Sequence, residues 1–200
     1  VSVLVFARHG ETDANAKGLL LGRLDPPLNE RGRAQAAALA RAFGAGAPPA
    51  AIATSPLART RATADAIGQA CGVAVEVDER LVEVDYGVWD GHPFGALPAD
   101  LVRKWRSDPQ FTPEGGESLA DVRARMARCA ADLLERAAEA GAPVVAVSHV
   151  SPIKAAVLWA LTLDDTFSWR LRLDVASITR LTPGPDGPVL LTFNETGHLQ

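Results

Sequence analysis

Three short runs rich in β-branched and small apolar residues, Val1 to Ala7, Ala50 to Thr54 and Pro143 to Ser148, constrain this chain more than any other feature. They lack the polar alternation of a strand with one wet face, so each reads as a strand covered on both sides. Such strands need helices above and below their sheet, and the sequence supplies them. Asn29 caps a helical pattern through Phe43, Pro56 starts one through Cys71, and Ser151-Pro152 opens one through Leu161. A longer pattern from about Ser118 to Ala140 stops at Gly141, with Pro143 just beyond. Val73 to Val77, Ser177 to Thr182 and Pro188 to Asn194 read as further strands, the last two joined by a turn rich in Pro and Gly. The expected architecture is an α/β fold, a three-layer α/β/α sandwich with a largely parallel central sheet. One domain is expected over residues 1–200, with a short cap insertion at about 92–114.

Composition removes several classes of function. The chain has 200 residues, 48% of them hydrophobic, enough for one extensive core. Its formal net charge is -4 and its basic residues are dispersed, which argues against nucleic acid or an anionic membrane surface as a partner. The opening apolar run has no basic segment before it and leads directly into Arg8-His9, so it reads as a strand and not a signal peptide. No stretch approaches the roughly 20 apolar residues that cross a bilayer, and a soluble, cytoplasmic protein is expected. Cys71 and Cys129 lie in Ala-rich helical patterns far from any C-x-x-C spacing, as buried thiols of a reducing compartment do. No Asp or His cluster has metal-ligand spacing, so neither a metal nor another cofactor is expected.

In parallel sheets ligands bind beyond the carboxyl ends of the strands, and there the unusual residues fall. Arg8-His9-Gly10-Glu11-Thr12 leaves the first strand, and Ser148-His149 leaves another immediately before a helix start. Of the four histidines in the chain, two therefore end hydrophobic strands. Arg59 follows a third strand and sits in the first turn of the next helix, where the helix dipole disfavours a cation unless an anion is nearby. Leu81 to Gly91 forms an acidic, glycine-containing loop that can supply a proton donor beside the two Arg and two His.

Five motifs in one order, R-H-G-E-T, S-x-L-x-R-T, L-x-E-x-x-Y-G-x-W-D-G, Gly115-Gly116-Glu117-Ser118 and the late Ser-His, resemble those of the histidine phosphatase (phosphoglycerate mutase-like) family. The resemblance extends over essentially the whole chain. It implies a metal-independent phosphomonoesterase acting on a small-molecule phosphate monoester. His9 would be the nucleophile and Glu83 the general acid and base. Arg8, Arg59 and His149 would hold the phosphate, with Asn15 as a further ligand. The Val150 amide would face phosphate at a helix N-terminus. His149, if protonated, would add a donor that follows the phosphoryl group. For Glu83 to act near neutrality its pKa must be raised, by burial or by nearby negative charge such as Asp85 or the substrate dianion.

Two alternatives to hydrolysis are phosphoglycerate mutase-type transfer and a phosphate-binding module without catalysis. Mutases carry a long insertion after the acidic loop and a closing C-terminal tail, whereas only His92 to Glu114 separates Gly91 from Gly115 here. Non-catalytic relatives lose the nucleophile, an arginine or the acid, and this chain has all of them. The loop variant looks like that of the α-ribazole phosphatase and broad-specificity branch. Leu21, Gly22 and Arg23 would form one wall of a substrate pocket, beside Tyr86. Trp105, with His92, Pro93, Phe94, Leu97, Leu101 and Phe111, would form an apolar cap that either contacts the substrate or covers the sheet edge. The S-H-V-S-P-I-K form is similar to phosphatase domains carried behind a ribonuclease H module in some relatives, and the chain begins without Met. A fusion partner domain stays open on these grounds, as does the oligomeric state.

Overall fold

The computed structural model describes residues 2–200, so the Val1 end of the first expected strand lies outside the described residues. In chain order the elements are β1 (Leu4–Arg8), α1 (Asp13–Ala16), α2 (Glu30–Gly44), β2 (Ala51–Thr54), α3 (Ala58–Cys71), β3 (Val75–Val77), α4 (Ala99–Ser107), α5 (Leu119–Ala140), β4 (Val144–Ser148), α6 (Val150–Ala160), β5 (Ile178–Thr182) and β6 (Val189–Glu195). The strands form one sheet in the order β3-β2-β4-β1-β5-β6. The first four in that order pair in parallel, and β5 and β6 are antiparallel additions. This is the expected mixed α/β fold with a mostly parallel sheet flanked by helices.

Alternation along the strands explains the lack of polar positions. Leu4 and Phe6 of β1, Ala51 and Ala53 of β2 and Val144 and Ala146 of β4 face one core, where α5 contributes Met126 and Leu133 and α6 contributes Ile153. Val5 and Ala7, Ile52, and Val145 and Val147 face the other, against Leu39 of α2 and Ile67 of α3. Each of these strands is therefore apolar at every position before its last residue.

Local signals set most helix ends. Asn29 caps α2 by accepting the Gly32 amide at 2.8 Å. Ser118 and Asp121 form a reciprocal capping box on α5, which ends at Gly141 with φ 61°. The start of α3 is two residues later than Pro56, because Leu57 offers no side-chain cap and Asp25 supplies one from a distant loop. Both Asp25 carboxylate oxygens accept the Ala58 amide, at 2.8 and 3.0 Å. The short α1 and the cap helix α4 are additions to the expected set. A Thr12–Asn15 capping box supports α1, and α4 buries Trp105 but leaves its other residues at least partly exposed, too thin an apolar stripe to read in sequence.

The register carries the functional consequence. Arg8 pairs with Ser148, and Thr54 pairs with Val147. His9, His149 and Ser55 thus leave three adjacent strands at nearly one level, on the carboxyl side of the sheet. The core prediction is direct: Ile52→Ala, at a position with no exposed surface, should lower unfolding free energy by about 2–5 kcal/mol, seen as a lower denaturant midpoint at unchanged slope.

Candidate active site

The backbone of His9 is pinned on both sides, its N–H donating to Ser148 O at 3.1 Å and its carbonyl accepting from Ala176 at 3.0 Å. The ring Nδ1 lies 2.7 Å from the Gly10 carbonyl, which can only accept, so Nδ1 carries the proton and Nε2 keeps its lone pair. Gly10 is required here because the chain presses on the start of α2: a Cβ at Gly10 would stand 2.4 Å from the Gly32 carbonyl oxygen. Burial first, then the charges of Arg8 and Arg59, hold the His9 imidazole well below its usual pKa. The ring is neutral across the physiological range and its free nitrogen is a nucleophile.

Arg59 has no exposed surface. Its guanidinium donates to the carbonyls of Leu24 and Gly22, each at 2.8 Å, and of Leu21 at 3.4 Å, with Asp25 at 3.7 Å. Its Nε donates to His149 Nδ1 at 3.3 Å. A guanidinium cannot accept, so His149 bears its proton on Nε2 and donates it to Ser55 Oγ at 2.8 Å. Burial and Arg59 hold His149 well below its usual pKa, so this ring too is neutral. That departs from the protonated donor anticipated for it. The two imidazoles meet edge to face with centroids 5.1 Å apart.

Asp90 of the acidic loop organises Arg59 at one remove. Its carboxylate accepts the amides of Gly22, Arg23 and Leu24 at 2.8, 2.7 and 2.8 Å. This clamps the segment whose carbonyls receive the guanidinium. Leu21 and Gly22 therefore serve as backbone acceptors, and Arg23 turns its side chain toward Asp85 and Glu117, at 3.7 and 3.6 Å.

Glu83 is buried against the start of α6. Its Oε1 accepts from Val84 at 2.8 Å and Ser151 at 3.2 Å, and its Oε2 accepts from Val150 at 3.2 Å. The Val150 amide expected to face phosphate is thus held by Glu83. Burial raises the Glu83 pKa, against the opposing pull of these amides and of Arg59 and Arg8. Asp85, anticipated as a source of that shift, instead accepts the Gly87 amide at 2.8 Å.

Arg8 donates to the Leu173 carbonyl at 2.6 Å, and its Nε is buried with no partner. An unpaired buried donor is costly, and an anion at this place would relieve it. Asn15 Oδ1 accepts the Thr12 amide at 3.1 Å, which leaves the Asn15 amino group as the donor it can offer a phosphate oxygen. Tyr86 and Trp105 pack edge to face at 5.7 Å, and Trp105 is 3% exposed within an aromatic cluster that includes Trp89, Phe94 and Trp169. Trp105 thereby anchors the cap. Among the described residues no group of three or more His, Cys, Asp or Glu could hold a metal ion. Ser55 and Asp90 were absent from the expected site set, although Ser55 ends its strand as the two histidines end theirs.

A neutral imidazole with a free nitrogen, two buried guanidiniums and a buried carboxyl of raised pKa form a site for binding a phosphate and attacking it. Residues 4–196 match the pattern of the Histidine phosphatase superfamily (branch 1). The chain belongs to that family. A Mycobacterium tuberculosis protein named as bifunctional is 36% identical over 200 residues, 98% of this chain and 54% of that protein. This histidine phosphatase chain thus spans about half the length of that curated relative. Glucosyl-3-phosphoglycerate phosphatase of the same species is 38% identical over 167 residues, covering 78% of this chain and 74% of the relative. Among solved structures, Entamoeba histolytica phosphoserine phosphatase in complex with 3-phosphoglyceric acid superposes with a TM-score of 0.91 at 30% identity, covering all of both chains.

Two predictions test the geometry. Asp90→Ala unclamps the Leu21–Leu24 carbonyls and should weaken inorganic phosphate binding about tenfold, measured by calorimetry. His149 is held low when folded, whereas unfolding restores it to about 6.5. Below that value the unfolded chain binds a proton that the folded chain refuses, so stability falls as pH drops through about 6.5. In His149→Gln the decline between pH 7 and 5, followed by denaturant midpoints, should be shallower by up to about 1.4 kcal/mol per pH unit.

Proposed function

We propose that this chain is a metal-independent phosphomonoesterase that hydrolyses small phosphorylated metabolites through a phosphohistidine on His9. One observation carries the reading: the unprotonated Nε2 of His9 belongs to a ring held neutral by burial and by Arg8 and Arg59, the two cations nearest to where a phosphate would sit. The relatives named for glucosyl-3-phosphoglycerate and phosphoserine support a phosphorylated metabolite as substrate.

In the first half-reaction the phosphate rests on Arg8 and Arg59, with the Asn15 amino group as a further donor. His9 Nε2 attacks phosphorus and the N–P bond forms as the P–O bond to the substrate alcohol breaks. Glu83, whose pKa burial raises, gives a proton to the departing oxygen. In the second half-reaction the Glu83 carboxylate takes a proton from water, whose oxygen attacks phosphorus. The N–P bond breaks, phosphate leaves and His9 is restored. His149 stands beside His9 as a neutral ring whose Nε2–H is given to Ser55 Oγ and whose Nδ1 accepts from Arg59, so it orients the Arg59 guanidinium without adding charge.

The short segment between the acidic loop and Gly115 supports hydrolysis over transfer, since a mutase must keep water from the phosphohistidine. We read residues 1–200 as one catalytic domain whose cap is the segment 92–114, and the half-length match leaves room for a fused partner domain in the whole protein. No helix among the described residues is long and apolar enough to cross a membrane. Cys71 and Cys129 are both free thiols, which favours the cytoplasm as its compartment.

The test is turnover of p-nitrophenyl phosphate with a chelator present. His9→Ala should abolish both turnover and the ³²P label retained on protein after an alkaline quench. Glu83→Gln should slow steady-state turnover by about 10²–10⁴-fold. With this good leaving group it should still release a rapid burst of nitrophenol, because only the water step then needs Glu83. Retained label in His9→Ala would overturn the assignment of the nucleophile, and phosphate binding without turnover would indicate a binding module.

A further inference from the structure

Lys154 lies four residues beyond Val150 and three beyond Ser151, on the face of α6 whose first amides hold Glu83. Its Nζ donates to the Ser168 carbonyl at 3.0 Å. That bond ties α6 to the short turn Asp165–Arg170. The next residue of that turn, Trp169, packs edge to face on Trp105 with centroids 4.7 Å apart, and Phe94 of the cap lies 6.4 Å from each of them. The ammonium therefore stands where the phosphate site meets the cap.

Nothing in the phosphoryl chemistry described above uses this cation. Its charged surroundings are Arg8 and Glu83. Burial, with Arg8 adding to it, brings the ammonium down to about 8. It is mostly charged at neutral pH and yet poorly compensated, with the Ser168 carbonyl accepting one of its three N–H groups. A partly buried cation of this kind gains from a second anion beside the phosphate.

We infer that Lys154 is a specificity-determining residue that receives the carboxylate of a phosphorylated carboxylic acid whose phosphate is held by Arg8 and Arg59. The inference rests on the phosphatase reading of the site and adds to it the substrate class. A single ammonium matches a monoanionic carboxylate. A second phosphate group would bring two charges to one cation, and a neutral hydroxyl would leave the cation uncompensated.

The decisive comparison is between 3-phosphoglycerate and glycerol 3-phosphate, which differ in having a carboxylate or a hydroxymethyl group. The wild-type chain should favour 3-phosphoglycerate in kcat/KM. Lys154→Met should lower that ratio at least about tenfold, with most of the loss on the phosphoglycerate arm. Lys154→Arg should retain most of the preference. Lys154→Gln, which keeps a donor for the Ser168 carbonyl without the charge, should behave as Lys154→Met, and it answers the question if the methionine variant fails to fold. A ratio unchanged in the uncharged variants, or an equal fall on both substrates, overturns the inference. Calorimetric binding of the same two ligands to His9→Ala, with and without Lys154→Gln, separates the two levels. If the wild type fails to turn over p-nitrophenyl phosphate, the hydrolytic reading fails. Loss of carboxylate preference on Lys154→Gln in the binding measurement still upholds the role of Lys154, and equal binding in both backgrounds overturns it.

Discussion

A guanidinium with no contact with solvent, placed in the first turn of a helix, is the costliest feature of this molecule and the one around which its site is arranged. The helix dipole opposes a cation there, and desolvation adds to the cost. Arg59 is tolerated because the Leu21–Leu24 segment turns its carbonyls inward, and that segment is held by the Asp90 carboxylate through three amides. Asp25 joins the arrangement by capping α3 and lying near the same guanidinium. The remaining Nε donor decides the tautomer of His149 and so the direction of its bond to Ser55. One buried cation thus orders a loop, a helix start and the His149 ring.

The same charges divide the titratable groups into roles. Burial, joined by the charges of Arg8 and Arg59, holds both imidazoles well below their usual pKa, while burial raises the pKa of Glu83 against the pull of those arginines. A base shifted toward its neutral form and an acid shifted toward its protonated form are the pair that phosphoryl transfer to nitrogen requires. The pair arises from position: the histidines leave adjacent parallel strands, and the carboxylate is fixed by the first amides of α6.

Much of this was legible in the amino-acid sequence because the strands are buried on both faces and their ends are marked by residues with chemistry. Arg8, His9, His149, Arg59 and Glu83 announce themselves as polar groups at the close of apolar runs or within one acidic loop. What stayed hidden depends on contacts across the fold. Asp25 and Asp90 act through backbone groups dozens of residues away, which no periodicity records. Val150 was expected to present its amide to phosphate, but a helix start gives no indication of which anion will reach it, and Glu83 does. The neutrality of His149 follows from one Arg59 bond that only the folded chain makes. Tyr86 and Trp105 could be assigned to an aromatic patch, yet whether Trp105 faced solvent or interior depended on Trp169, which lies far along the chain.

The near-contact of two backbones at Gly10 and Gly32 has a consequence for how such a site can change. A Cβ at Gly10 would meet the Gly32 carbonyl at 2.4 Å, and one at Gly32 would meet the Glu11 carbonyl at 2.0 Å. The turn bearing His9 and the head of α2 are therefore a single mechanical piece, with no side chain between them to be exchanged. Divergence toward new substrates has no purchase on that wall. Change is easier where α4 and the Asp165–Arg170 turn meet, through side chains such as Trp105 and Trp169 that can be swapped one at a time.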